Sequence, residues 1–238
     1  MLKIIFLIAG TGSRINTLTK KKHKSLIEIN KEPIIKRLVN QFHSYKVKSK
    51  DITFLTGYKS DQIKKEFGKN YNYFYYNNYS KTNNLHTLIN AIKVLKIQDT
   101  IICFSDILTT SETISQITNK KISNITILGD LSKVRNGTMR IISNKKNLKS
   151  IGKLPRAKSS GNYIGIMRIP KNRMLIFKKF LINAKNKNKK HYFTEILNDL
   201  IQSREKINII DIAPNFWTEI DNMNDLKKAI KNKNKLNV

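Results

Sequence analysis

The sequence predicts an α/β domain of three layers, in which a mostly parallel sheet carries helices on both faces. Two observations predict it. Short apolar runs (Leu2–Ile8, Asp51–Leu55, Thr100–Phe104) alternate with segments whose apolar residues recur at helical spacing. At 238 residues and 39% apolar composition, the chain is also long enough for one such domain with a full core.

Leu2–Ile8 is a continuous apolar run, as expected of a strand buried on both faces. Pro33 opens a helix with Ile34, Ile35, Leu38, Val39 and Phe42 on one side. Asp51–Leu55 reads as a strand ended by Gly57, Ser60–Phe67 as a short helix and Tyr71–Tyr76 as a strand. Asn84–Leu95 reads as a helix through Leu85, Leu88, Ile89, Ile92 and Leu95, and Thr100–Phe104 as a strand running into Ser105 and Asp106. Beyond residue 124 the pattern becomes strand and turn, with strands at Ile125–Leu128, Thr138–Ile142, Leu148–Ile151 and Tyr163–Ile169. This implies a mixed or antiparallel extension. Helices at Lys171–Ala184 and Phe193–Ser203, a strand at Ile207–Ile212 and a helix at Met223–Lys231 complete it. The division is one domain over 1–231, with halves 1–123 and 124–231, followed by a frayed polar tail, 232–238.

The net charge of +30 would ordinarily suggest a nucleic acid or an anionic membrane surface as partner. The excess consists of 38 Lys against 8 Arg, scattered along a chain that also holds 28 Asn. Surfaces that clamp phosphates favour the Arg fork, so the excess reads as the coding bias of an AT-rich genome. No nucleic-acid partner is expected, and a basic polyanion- or membrane-surface-binding protein is the alternative reading. Cys103 is the only cysteine and lies in an apolar run, which excludes a disulfide framework. Leu2–Ala9 is too short to span a membrane and runs into a glycine loop. A cytoplasmic protein without membrane insertion is expected, and a homo-oligomer is compatible with the sequence.

Four segments hold residues suited to chemistry. Ala9-Gly10-Thr11-Gly12-Ser13-Arg14 follows a buried strand, and its glycines let backbone N–H groups approach phosphate oxygens closely. It is neither a G-x-G-x-x-G fingerprint, since Ile15 and Asn16 follow Arg14, nor a Walker A loop. Asp106 and Asp221 each close a short apolar strand, where a carboxylate projects into the ligand crevice and a pair can hold a cation. A helix N-cap is the competing role for Asp221, which precedes Asn222 and a helix. Asn83 and Asn84 stand at a helix entrance, as caps or as amides able to read a base edge. Lys153 and Tyr163 lie on a turn and on the strand after it.

The string AGTGSRINTLTKKKHKSLIEINKEPI, together with the ending WTEIDNMNDL, resembles the nucleotide-diphospho-sugar pyrophosphorylase-like nucleotidyltransferases. Gly10, Gly12, Arg14, Lys24, Leu26 and Pro33 fall in step with their A-G-x-G-x-R, P-K-x-L and G-x-P signature. His23 stands where proline is usual and Lys31 where glycine is usual. The two motifs bracket almost the whole chain. NNYSKTNNLHTL is similar to the LicC-like choline-phosphate cytidylyltransferases and their aminoethylphosphonate-using relatives. Thr87 replaces their serine there.

The resemblance implies a Rossmann-like mixed sheet of GT-A type and a Mg²⁺ held by Asp106 and Asp221. It implies that Ala9–Ser13, Asn83, Asn84 and Ser105 hold an NTP, expected to be CTP. Arg14 would neutralise the departing pyrophosphate, Lys24 would contact the phosphates being joined, and Lys153 and Tyr163 would hold the acceptor. Expected acceptors are phosphocholine, 2-aminoethylphosphonate or a similar small phosphate or phosphonate, in the synthesis of cell-surface polysaccharide or lipid precursors. A sugar-1-phosphate is the alternative acceptor. Tyr73, Tyr75, Tyr76 and Tyr79 are candidates to line a quaternary-amine site, or else to pack in the core.

Overall fold

One sheet of nine strands runs through both halves of the chain. A computed structural model describes residues 1–236, so Asn237 and Val238 of the expected tail lie outside the described residues. The first half contains β1 (Lys3–Ile8), α1 (Asn16–Thr19), β2 (Glu28–Ile29), β3 (Glu32–Pro33), α2 (Ile34–Ser44), β4 (Ile52–Thr56), α3 (Ser60–Phe67), β5 (Asn72–Tyr75), α4 (Asn84–Asn90), β6 (Thr100–Phe104), β7 (Ile107–Thr109) and α5 (Ser111–Thr118). The second contains β8 (Ile125–Asp130), β9 (Arg140–Asn144), β10 (Asn147–Gly152), β11 (Gly161–Ile169), α6 (Met174–Asn183), α7 (Thr194–Gln202), β12 (Ile207–Asp211), β13 (Trp217–Glu219) and α8 (Met223–Lys231).

The sheet order is β5-β4-β1-β6-β11-β8-β12-β10-β9. Its first four strands are parallel. β11 runs antiparallel to both β6 and β8, and β12 is parallel to β8. β10 and β9 close the edge as an antiparallel pair.

Alternation along β1 builds both outer layers. Ile5 and Leu7 face a core shared with Leu85 and Leu88 of α4, Phe177 of α6 and Leu197 of α7. Ile4, Phe6 and Ile8 face the opposite core, with Leu38 and Phe42 of α2, Ile63 of α3 and Ile114 of α5. The Phe6 ring lies 5.9 Å from Phe42 and 5.5 Å from Phe54, all three fully buried. Burying each such side chain stabilises by roughly 1.5–3 kcal/mol, so β1 is a rigid base for the loop that leaves it. A third, smaller cluster joins Ile15, Ile29, Leu108, Ile220, Leu226 and Leu236.

The structure departs from expectation in four places. The α-helix from Asn84 ends at Asn90, whose side-chain Nδ2 donates to the His86 carbonyl four residues back, and the chain continues to Leu95 in tighter turns. α5 has few apolar residues to announce it, but Thr110 caps its Thr113 N–H and buries Ile114 and Ile117. The short strand expected ahead of Asp221 forms as β13, but its partner β7 is too short to read as a periodic pattern. Of the polar tail, Lys233–Leu236 forms a 3₁₀ turn that buries Leu236. Among the described residues, no helix is long and apolar enough to cross a membrane.

Asn30 and Lys31 join β2 to β3 with φ of 57° and 64°, the left-handed pair of a two-residue type I′ hairpin. A lysine there carries a steric cost that glycine does not. Lys31→Gly is expected to raise the unfolding free energy by about 0.5–1 kcal/mol in urea titrations, after the greater chain entropy of glycine is offset. A loss of stability would show that the turn is not strained.

Candidate active site

The chain leaves β1 through Ala9 and Gly10 into a turn in which Gly12 has φ +64°. A Cβ on Gly12 would come within 3.0 Å of both Lys24 Cβ and Thr19 Cγ2, so glycine is required there to seat the lysine. A Cβ on Gly10 would meet no protein atom within 4 Å, so the fold itself places no demand for glycine at that position. Lys24 lies on a 3₁₀ turn, Lys24–Leu26, that His23 ties to the end of β1. His23 Nδ1 accepts from Ser25 N–H at 3.1 Å and Nε2 donates to the Ile8 carbonyl at 3.2 Å. The residue that replaces proline is therefore the brace of this loop. Burial, above all, depresses its pKa to about 4, with the Lys24 charge adding to the effect against the Ile8 hydrogen bond.

β7 and β13 bring the two carboxylate-bearing strand ends together. Glu219 pairs with Ile107 in register, and Ile220 N–H donates to the Asp106 carbonyl at 3.0 Å. Asp106, Glu219 and Asp221 consequently converge, with carboxylate oxygens all within 4.8 Å of one another. Lys24 Nζ reaches Asp106 Oδ2 and Asp221 Oδ1, each at 2.7 Å. Arg14 Nη2 adds a contact of 2.8 Å to the same Asp221 oxygen from a largely exposed position.

Burial works against the Lys24 charge, but the two aspartates outweigh it and raise its pKa above the ordinary lysine value. Burial first, then the charges of Asp106 and Asp221, push the Glu219 carboxyl well above the usual range, opposed by Lys24 and Arg14. The helix cap that competed for Asp221 falls to its neighbour. Asn222 caps α8 in a reciprocal box with Asp225, and Asp225 also accepts from the Asp221 N–H at 3.1 Å.

These groups open on a cavity of about 640 Å³ lined by Ala9, Gly10, Gly12, Ser13, Arg14, Lys24, Asn83, Asn84, Ser105, Asp106, Lys153 and Asp221 of the expected residues. Thr11 is not part of that lining. Ser105 Oγ donates to the Leu7 carbonyl at 3.1 Å and accepts from Ser25 Oγ at 2.8 Å, fixing the end of β6 against β1. Asn83 is largely spent on structure. Its Oδ1 accepts from Asn84 N–H, and its Nδ2 donates to the Lys190 carbonyl. Asn84 Oδ1 accepts from Phe193 N–H at 2.8 Å, which leaves its amide donors uncommitted.

Lys153 enters from the second half with Nζ 5.2 Å from the Tyr192 ring centre. Tyr163 does not reach the cavity. It belongs to β11, a central strand buried at all nine positions, and its ring packs edge-on against Phe104 and Phe193. Of the tyrosines considered for an amine site, Tyr79 lines the cavity, whereas Tyr73 stacks on Phe54 and Tyr76 is buried. Sequence reasoning passed over Glu219, although two-residue alternation along β13 sets it on the same side as Asp221.

No protein-family model matches the chain. It is 29% identical to the CTP:phosphoglutamine cytidylyltransferase of Campylobacter jejuni, over 95% of this chain and 98% of that protein. Among solved structures, the CTP:phosphocholine cytidylyltransferase LicC of Streptococcus pneumoniae superposes with a TM-score of 0.77 over 97% of this chain and 98% of that one, at 18% identity.

The chain is thus similar in sequence to one cytidylyltransferase and in fold to another.

The inositol-1-phosphate CTP transferase of T. maritima shares the same fold, with a TM-score of 0.78 over 98% of this chain and 95% of that one, at 14% identity. The three-layer mixed sheet expected from sequence is thus the fold that these two transferases share.

His23 links this site to acid stability. Its pKa is lower folded than unfolded, so between pH 6.5 and 4 the unfolded chain takes up a proton that the native ring refuses. Its contribution is complete above pH 6.5 and falls by about 3 kcal/mol as pH drops toward 4. Unfolding free energies across this range are expected to fall more steeply for the wild type than for His23→Gln. Parallel slopes would show that the ring is not buried as the neutral form.

Proposed function

We propose that this protein is a nucleotidyltransferase that moves a cytidylyl group from CTP to a phosphate or phosphonate oxygen of a small acceptor and releases pyrophosphate. One observation carries the reading. A buried lysine and three carboxylates meet at the mouth of a glycine loop that leaves room for a ligand at Gly10. The named relatives, which use CTP and phosphorylated acceptors, support the choice of nucleotide and acceptor class.

In the proposed reaction an acceptor oxygen attacks the α-phosphorus in line, and the bond from that phosphorus to the β-phosphate bridging oxygen breaks. The acceptor oxygen is already anionic at neutral pH, so no general base is needed. The difficulty is anion meeting anion, and fixed cations answer it. Backbone N–H groups of Ala9, Gly10, Gly12 and Ser13 grip the triphosphate, Arg14 neutralises the leaving pyrophosphate, and Lys24 contacts the phosphates being joined. Asn84 offers amide donors to the base.

The carboxylates fit a hard divalent cation such as Mg²⁺. All three are oxygen donors, and Asp106 Oδ1 is buried with no hydrogen-bond partner. Asp106, Glu219 and Asp221 would hold the ion, which supplies neutralisation of charge on phosphoryl oxygens when bound.

Pyrophosphate release tests the reading, with CTP, UTP, GTP and dTTP offered against phosphocholine, 2-aminoethylphosphonate, phosphorylated amino acids and sugar-1-phosphates in Mg²⁺. CTP is expected to be used best, and silence across the panel would overturn the proposal. Lys24→Gln and Asp106→Asn are each expected to lower kcat at least 100-fold, the scale of one lost electrostatic contact to the transition state. Unchanged turnover in Asp106→Asn would remove that aspartate from the cation set.

A further inference from the structure

The second-half wall of the cavity carries a charge pattern that the proposed transfer does not by itself explain. The carboxylates lining the cavity are Asp106, Glu219 and Asp221, all gathered in the cluster that Lys24 and Arg14 already engage. Away from that cluster, the charged residues of the lining are Arg140 and Lys153. The two sit side by side, because Arg140 opens β9 opposite Gly152, the last residue of β10, and Lys153 follows.

Neither side chain has a carboxylate partner among the described residues. Arg140 donates Nε to the Arg135 carbonyl at 3.3 Å and Nη1 to the Leu154 carbonyl, contacts that fix the guanidinium while leaving Nη2 unpaired. Lys153 Nζ rests over the Tyr192 ring. Two neighbouring cations with no counter-charge repel each other unless an anion lies between them or beside each.

Resting on the transfer reading above, we infer that the acceptor carries a second anionic group, a carboxylate, in addition to its phosphate, and that Arg140 selects for it. The phosphate and the carboxylate are the two anions that Lys153 and Arg140 lack. A guanidinium with one edge fixed and another free is suited to a planar carboxylate. An acceptor whose far end is only a cation meets the opposite situation. Among the described residues no carboxylate on this wall faces it, and Lys153 already occupies a face of Tyr192 that a quaternary ammonium would use. The substrate class is therefore a phosphorylated amino or hydroxy acid.

The test is a matched pair. O-phosphoserine and O-phosphoethanolamine differ by one carboxylate and keep the same phosphate and amine. With CTP and Mg²⁺, kcat/KM measured by pyrophosphate release is expected to favour phosphoserine at least tenfold, and phosphocholine is expected to rank with phosphoethanolamine. Arg140→Gln is expected to reduce turnover of phosphoserine at least tenfold more than that of phosphoethanolamine, a difference that a general loss of folded enzyme cannot produce. A wild-type preference for phosphoethanolamine or phosphocholine, or a ratio unaltered by Arg140→Gln, would overturn the inference while leaving cytidylyl transfer intact. Should neither compound turn over, calorimetric titration of each into the wild-type enzyme with CTP decides the point. Binding of phosphoserine at least tenfold tighter supports the carboxylate, and equal binding removes it. Loss of the transfer reading itself is recognised separately, as silence across the whole panel of nucleotides and acceptors.

Discussion

The ammonium of Lys24, held at 2.7 Å from both Asp106 and Asp221, joins segments of the chain as much as 197 positions apart. Removing one member of such a buried pairing leaves an uncompensated charge, which typically costs 3–5 kcal/mol. The surrounding structure is arranged to keep the three in place. Gly12 makes room for the lysine stem, His23 anchors its turn to β1, and β7 with β13 delivers the two aspartates. The small cluster of Ile15, Leu108, Ile220 and Leu226 packs from these same segments. First and last parts of the sequence are thereby bound into one site.

The sheet was legible because burial on both faces leaves a plain mark in the sequence. After Lys3, β1 is unbroken Ile, Phe and Leu, and β6 matches its expected bounds at Thr100–Phe104. What escaped notice lacks such a mark. α5 reads SETISQIT and depends on a Thr110 cap and two isoleucines. β7 is three residues long, and its pairing with β13, the short strand expected ahead of Asp221, joins distant parts of the chain. Glu219, two residues before Asp221, takes its place in the cluster through that pairing. Tyr163 misled for the opposite reason, since a strand that borders the site in sequence is a central strand in space, where every side chain is core.

The charge of the chain takes on a different character beside this site. The sequence holds only 16 acidic residues, and three of them meet at one point. A protein of +30 otherwise offers an attractive field to any polyphosphate, which draws such an anion toward its surface. The carboxylate cluster is the exception within that field. It gives that general attraction a direction, because a polyphosphate can approach the neighbouring Arg14 and Lys24 closely only if the negative cluster is neutralised.

Asn222 illustrates a division of labour between adjacent residues. Either Asp221 or Asn222 has the chemistry to close the start of α8, and Asn222 does so with Asp225. A helix end attracts acidic side chains, so a chain that lost the asparagine would have Asp221 at hand to take its place. The helix would survive such an exchange, and the carboxylate cluster would lose a member. Folding and chemistry thus compete for a single carboxylate, and one neutral amide keeps them apart.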